Sequence, residues 1–402
     1  MKSSALGWNM KSRILFLSVI LLSFSIVQIH GLSQDVKWKG TIEDEDGIKV
    51  IRNPKEPLYG EITFELEEDL SIGNEEDESY MFYQARDIKV NSQGDIFVLD
   101  AGNHRVQKFD KNGTYIQTIG KKGQGPGEFA DTYEMFIDNQ NILYVSGMRM
   151  IHIFNNKGEF IRNVAIPITQ INFAVNTNGN FVLSGFITSE KGQNYGVFIT
   201  EPDGKIIKNI SEFPGINIFR RGKSMLFLSH KYSPMLCLSA VNNKGVIYGY
   251  SPEYKLYFLN QKEDIDLVVR KDESYHAISR GEKDEIINKR HESTSGRKMP
   301  KDIIEEAANF SKYRPFYNKI LSDDKGRIYV KKAKSVLEES KEIEFDIFSS
   351  DGYYLYKISL PVSPSVIKNG YLYFVSASEE TGVVRIKRFK IKNWNQLKTG
   401  IN

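Results

Sequence analysis

The stretch Asp87 to Phe129, DIKVNSQGDIFVLDAGNHRVQKFDKNGTYIQTIGKKGQGPGEF, is a complete copy of a four-strand unit that recurs in weaker form along most of the chain. Asp95 to Leu99 after Gln93-Gly94, Val106 to Phe109 before Asp110-Lys-Asn-Gly113, and Tyr115 to Ile119 before Gly120 are short alternating or β-branched runs. Each is closed by a Gly, Asn or Asp turn, so the segment reads as strand, turn, strand, turn.

The turn followed by an aromatic strand is the anchor for finding the other copies. Asn141-Ile-Leu-Tyr-Val145, Gly179-Asn-Phe-Val-Leu183, Gly245-Val-Ile-Tyr248, Gly326-Arg-Ile-Tyr-Val330 and Gly370-Tyr-Leu-Tyr-Phe374 join Gly94 to Val98, which makes six. The downstream half returns as well: Ile151 to Phe154 runs into Asn156-Lys-Gly158, Val197 to Ile199 into Pro202-Asp-Gly204, and Phe345 to Phe348 into Ser350-Asp-Gly352. Four strands per period, repeated in order, predict an all-β six-bladed propeller over residues 58–392.

Closure is predicted from the two ends of the repeat array. The last copy supplies strands after Gly370 and at Val383 to Ile391, and the sequence then reaches Asn402 one strand short of a full blade. Gly60-Glu-Ile-Thr-Phe-Glu-Leu66 alternates apolar and polar residues, so residues 59–67 are expected to supply the missing strand and remove the open edge.

Residues 1–33 read as a secretory signal, with Lys2, Lys11 and Arg13 before an apolar run from Ile14 to Val27 and a cleavage position at about 31–33. Met10-Lys11 offers an alternative start, and an uncleaved anchor is the competing reading of the same run. The formal charge of +3 equals the three basic residues of this segment, because no acidic residue precedes Asp35. A mature chain so near neutrality is not expected to bind nucleic acid. Cys237, the only cysteine, lies in Met235-Leu-Cys-Leu238 and is expected to be a small core residue. An exported chain without disulfides fits the periplasm or surface of a bacterium.

Two intervals exceed what a blade needs. Asp203 to Pro234 inserts Phe213 to Gly222 and Met225 to Tyr232; residues 271–312 switch to helical spacing at Glu282 to His291 and at Pro300 to Phe310, joined by the loop Ser293 to Lys298. Such insertions on a rigid scaffold are candidate lids or partner surfaces, the alternative being a helical hairpin that only packs on the ring.

Gly94 to Asp100, Asn103-His-Arg-Val-Gln-Lys-Phe-Asp110 and the glycine-rich Gly120 to Phe129 resemble an NHL repeat, and the whole architecture is similar to bacterial exported six-bladed propellers related to that group. Later copies depart from the pattern; Gly147-Met-Arg149 stands where Asn-x-Arg is expected. The resemblance implies fold and leaves function open, because propellers host both binding modules and enzymes. In such repeats Asp100, Asn103 and Arg105 are implied to be turn-forming, and no Lys-Ser/Thr helix start follows Gly123, Gly125 and Gly127 to make a phosphate cradle.

Catalytic chemistry finds little local support. His104, His152, His230, His276 and His291 form no close-spaced pair, no Gly-x-Ser-x-Gly elbow is present, and the six copies carry no aligned Glu, Asp or His. No cofactor is predicted, yet a propeller collects metal ligands one per blade, so a central divalent metal and a lactonase-like or amidating-lyase-like hydrolase or lyase stay open as the alternative. The favoured expectation is a non-enzymatic binding propeller for a protein, peptide or carbohydrate of the cell envelope. Its candidate contacts are Tyr83, Arg86, Tyr133, Arg149, His230, Tyr232, Tyr313 and Arg314, aromatic faces and guanidinium donors on the loop face and central funnel.

Overall fold

The structure is a computed structural model that describes residues 37–189, 192–215, 219–221, 224–226, 228–241, 244–293 and 298–401. The expected signal at 1–33 lies outside them. Met1–Trp38 and Lys39–Asn402 are separate units, and the second holds every blade.

Six antiparallel sheets follow in chain order. Blade 1 comprises Ala85–Val90, Ile96–Asp100, Arg105–Phe109 and Tyr115–Ile119; blade 2, Glu134–Ile137, Leu143–Ser146, Met150–Phe154 and Phe160–Ala165; blade 3, Thr169–Val175, Phe181–Ser189, Gly192–Thr200 and Ile206–Pro214. Blade 4 comprises Leu236–Val241, Gly245–Tyr250, Lys255–Leu259 and Ile265–Lys271; blade 5, Tyr317–Ser322, Ile328–Lys332, Ile343–Phe348 and Tyr354–Leu360; blade 6, Val366–Lys368, Tyr371–Ala377 and Val384–Ile391. All six aromatic anchor strands are second strands. Ile96–Asp100 and Leu143–Ser146 are buried throughout, because sheets cover both of their faces, whereas the outer Tyr115–Ile119 alternates.

The first strands of successive blades stand side by side around the axis. Their turns into the second strands repeat one device in blades 1, 2, 3 and 5. Asn91, Asp138, Asn176 and Asp323 each accept, through Oδ1, the amides two and four residues ahead. Gly94, Asn141, Gly179 and Gly326 close these turns at positive φ. One face of the ring is therefore built of short, saturated turns. The opposite face, which carries the connections between blades, holds every long segment.

The sixth blade is completed by Leu66–Ile72, antiparallel to Val384–Ile391, with Leu66 opposite Ile391 and Ile72 opposite Ile386. The closing strand therefore lies beyond most of the expected 59–67. Its sequence, LEEDLSI, fails the alternation test because the strand is outermost: Glu67, Glu68 and Asp69 face solvent and pair with Lys392 (2.7 Å), Lys387 (3.0 Å) and Arg388 (2.9 Å). Ile72 is its buried residue, packed with Ile88, Phe109, Tyr373 and Ile386 between blades 6 and 1. Gly73 follows at φ +133°, where a Cβ would come within 2.6 Å of the Val384 carbonyl oxygen.

The alternating segment expected to close the ring serves the neighbouring blade instead. Glu61–Ile62 pairs in parallel with Tyr354–Leu360 at the rim of blade 5. Further upstream, the hairpin Thr41–Glu45 and Ile48–Asn53 adds to blade 4, its second strand parallel to Ile265–Lys271. Asn53 then reaches blade 5, donating to the Gly352 carbonyl (2.8 Å) and accepting the Tyr354 amide (2.8 Å). The chain from Thr41 to Ile72 is thus a belt along the rims of blades 4, 5 and 6, reaching upstream of residue 58.

If this belt holds the ring, Ile72→Ala should cost about 2–5 kcal/mol in urea unfolding, and a chain begun at Gly73 should not unfold cooperatively. An unchanged transition in the truncated chain would show that closure does not depend on Leu66–Ile72.

Candidate functional site

All eight sequence candidates fall on the long-segment face, and they separate into two groups. On blades 1 and 2 the first group is organised around Asp100. Asp100 Oδ1 accepts the amides of Tyr83 (3.1 Å) and Gln84 (2.9 Å), and its Oδ2 accepts Asn103 (2.7 Å) and Arg105 (3.3 Å). Arg105 also donates to the carbonyls of Glu78 (3.0 Å) and Met81 (2.7 Å). Asp100, Asn103 and Arg105 thereby fasten the connection entering blade 1, in agreement with their structural reading. That connection presents Met81 and Tyr83 to solvent, with Tyr83 77 % exposed and its ring lying over Gly102.

Arg86 is held by the Thr132 carbonyl (2.7 Å) and stacks over Tyr133, its guanidinium carbon 5.5 Å from the ring centre. Tyr133 is 38 % and Met148 53 % exposed. Arg149 is exposed and bonds the Pro167 carbonyl (2.7 Å), bracing the connection to blade 3. Met81 and Met148 were not among the sequence candidates; methionine in a connecting segment gives no sign of its exposure.

The second group lies at the two irregular segments, which meet, and of its members only Tyr232 is fully buried. Helices α1 (Arg280–Ser293) and α2 (Lys301–Ala308) pack Ile287, Ile304, Ala307 and Ala308 against Leu228, with Phe219, Met299 and Phe310 at the margin. Tyr232 is 1 % exposed, so it supports the cap from beneath and offers no surface to a ligand. Its hydroxyl donates to Glu282 (2.6 Å) and accepts the Val336 amide (2.7 Å). His230 donates through Nε2 to the Ala308 carbonyl (3.0 Å) and packs on Phe310; burial lowers its pKa. Arg314 lies 3.7 Å from Glu282, while Tyr313 remains 38 % exposed against Tyr275.

Glu282 is the centre of this cluster. With Ser279 it forms a capping box at the start of α1: the Ser279 amide (2.9 Å) and hydroxyl (3.0 Å) donate to Oε2, and the Glu282 amide donates to the Ser279 hydroxyl (3.3 Å). Oε1 accepts Tyr232 and Ser335 (2.7 Å). Burial pushes its pKa up, but the hydroxyls of Ser335 and Tyr232 and the donors of Ser279 outweigh it and hold it at about 2. One carboxylate thus caps the helix and ties the insertion to blades 4 and 5.

Beneath the face, the first strands enclose a central cavity of about 960 Å³ that opens among the tight turns. Asp87 and Lys89 of blade 1, Glu134 of blade 2, Lys319 of blade 5 and Lys368 of blade 6 are charged residues of its walls, Asp138, Asp323 and Asp324 stand at the turns around its mouth, and Cys237 lies buried in the wall from blade 4. Burial raises Glu134 to about 7 and lowers Lys319 to about 8. Lys89 is lowered by burial but raised overall by Asp87, 3.0 Å away, and Glu134. None of these charged residues stood out in the sequence, since four different blades bring them to the axis. Among the described residues, no three His, Cys, Asp or Glu side chains are grouped closely enough to hold a metal, and no helix is long and apolar enough to cross a membrane.

Comparison with known proteins supports the fold. The family model DUF5128, a 6-bladed beta-propeller, matches residues 75–239. A segment of 93 residues, 22 % of this chain, is 30 % identical to the protein brain tumor of Drosophila melanogaster, of which it spans 9 %. Among solved structures, a candidate exported protein from Bacteroides fragilis superposes with a TM-score of 0.50 at 14 % identity, covering 85 % of this chain and 99 % of that one. A member of the DUF4221 family from Bacteroides vulgatus has a TM-score of 0.46 at 12 % identity, covering 82 % and 98 %. At 14 % identity the likeness to the first of these shows the fold alone, which the family model describes as a six-bladed propeller.

The clamp at Glu282 has a defined acid response. A carboxyl at about 2 when folded against the ordinary 4.5 stabilises fully above pH 4.5, and that contribution is lost as pH falls from 4.5 toward 2. Amide exchange in residues 280–308 should therefore accelerate across this window ahead of the blades. Glu282→Gln should show fast exchange already at pH 7 and a flatter acid limb; an acid profile identical to the unsubstituted chain would remove Glu282 as the clamp.

Proposed function

We propose that this protein is an exported, NHL-related binding propeller that recognises a protein or peptide through the long-segment face of blades 1 and 2. The observation that carries the reading is the composition of that surface. Met81, Tyr83, Arg86, Tyr133 and Met148 come from the connecting segments of blades 1 and 2; the Asp100–Arg105 brace fixes the first segment, the Arg86–Tyr133 stack joins it to the second, and the Met148 amide is held by Asp131 (2.8 Å). Tyr, Met and Arg are the residues by which the cores of protein interfaces differ from ordinary surface. The Tyr83 main chain is held by Asp100 and the Arg86 side chain by the Thr132 carbonyl, which lowers the ordering entropy that opposes binding there.

Export rests on the basic and apolar pattern of residues 1–33, and bacterial origin on the same pattern with a single cysteine. The partner expected is therefore a protein or peptide of the cell envelope, with the carbohydrate reading as an outcome of the test.

Affinity capture from the envelope fraction should enrich a protein whose retention drops roughly tenfold or more in Tyr83→Ala/Tyr133→Ala, with the melting temperature unchanged. The control is Ile207→Ser, at an exposed apolar residue on the outer strand of blade 3. Equal loss in the control, or capture of glycan alone, would overturn the protein reading. N-terminal sequencing of the secreted chain checks the export reading, with cleavage expected near 31–33.

A further inference from the structure

Of the lysines that line the central cavity, Lys319 and Lys368 are bonded to neutral oxygens, whereas Lys89 pairs with Asp87. Lys319 Nζ donates to the Pro364 carbonyl (2.9 Å) and Lys368 Nζ to the Val90 carbonyl (2.7 Å), and among the described residues neither ammonium has a carboxylate oxygen within 4.0 Å. The acids nearby are engaged elsewhere. Asp87 accepts the amides of Ile88 (2.9 Å) and Met135 (2.9 Å) as well as the Lys89 ammonium; Glu134 accepts the Phe173 amide (3.2 Å); Asp138 accepts its own turn amides and the Tyr144 hydroxyl (3.1 Å); Asp323 accepts the Arg327 guanidinium (2.7 Å) and the Tyr329 hydroxyl (2.9 Å); Asp324 accepts the Asn369 amide (2.8 Å).

A carbonyl satisfies a hydrogen of an ammonium but does not neutralise its charge, and removing such a charge from water is costly without a counterion. The cost is visible in both lysines, whose pKa values burial pulls down. Both line the same cavity, which has the volume of a small-molecule site and opens on the tight-turn face, opposite the surface assigned above to a protein partner.

We propose that the central cavity binds a small anion, a carboxylate or phosphate group, between Lys319 of blade 5 and Lys368 of blade 6. The anion takes the donors of both lysines that now meet only carbonyls or lie unused. The walls reject a bulky polymer, because six first strands surround the site and leave only the opening among the tight turns. This reading does not rest on the loop-face surface, from which it is separated by the depth of the ring.

Inorganic phosphate and citrate, titrated separately into the full mature chain by calorimetry, are the probes. At least one should bind, and Lys319→Met and Lys368→Met should each weaken it roughly tenfold or more, while Lys319→Arg and Tyr83→Ala/Tyr133→Ala retain it. Binding of one probe alone assigns the group as phosphate or carboxylate. No binding of either at millimolar concentration, or undiminished binding in the Met variants, overturns the proposal; if Lys319→Met does not fold, Lys368→Met decides the outcome alone.

Discussion

The pairing of Leu66–Ile72 with Val384–Ile391 is the constraint on which the rest of the molecule depends. A propeller blade buries its faces only against its neighbours, so an open array leaves two blades half bare and two sheet edges unpaired. Closing the array seals Ile72, Ile88, Phe109 and Tyr373 into one interface. Arg388 reinforces the seam, since it pairs with Asp69, bonds the Lys111 carbonyl of blade 1 (2.7 Å) and covers Tyr371 at 4.6 Å. The positions of all six first strands, and with them the central cavity, follow from that one seam.

The two faces of the ring divide labour for a physical reason. On one side, turns of the Asn91 and Asp138 type saturate their own amides and leave no length to vary. On the other, connections between blades are free to lengthen because the strands they join are already fixed. The exposed Tyr and Met residues, the helical cap and the Glu282 clamp all occur there.

Much of the fold was legible because each anchor strand and its turn are local in sequence. What escaped were features whose partners come from elsewhere in the chain. Leu66–Ile72 was passed over for Gly60–Leu66 because alternation marks a half-buried strand, while the outermost strand of a blade shows three acids to solvent. Yet Ile72-Gly73 repeats Ile119-Gly120 at the end of blade 1's outer strand, a match that marks the register the structure adopts. The hairpin at 41–53 carried no repeat signature. Tyr232 was offered as a contact and is core, because aromatic residues in irregular segments do not reveal their exposure, whereas the Ser279–Glu282 box was readable from spacing. Lys319 and Glu134 carried no signal at all, each being a lone charge in an unremarkable first strand.

The seam also sets an order of events during biogenesis. Glu68 and Lys387, which meet across it, are 319 residues apart, so the strand made first waits for the one made last. Closing so long a loop is slow, and the waiting chain exposes unpaired strands throughout. The sequence LEEDLSI suits that interval: three consecutive acids make it a poor partner for other copies of itself, while Lys387, Arg388 and Lys392 make the last blade its charge-matched destination. The acidity that hid this strand from pattern analysis therefore protects the newly made chain from aggregation until its ring can shut.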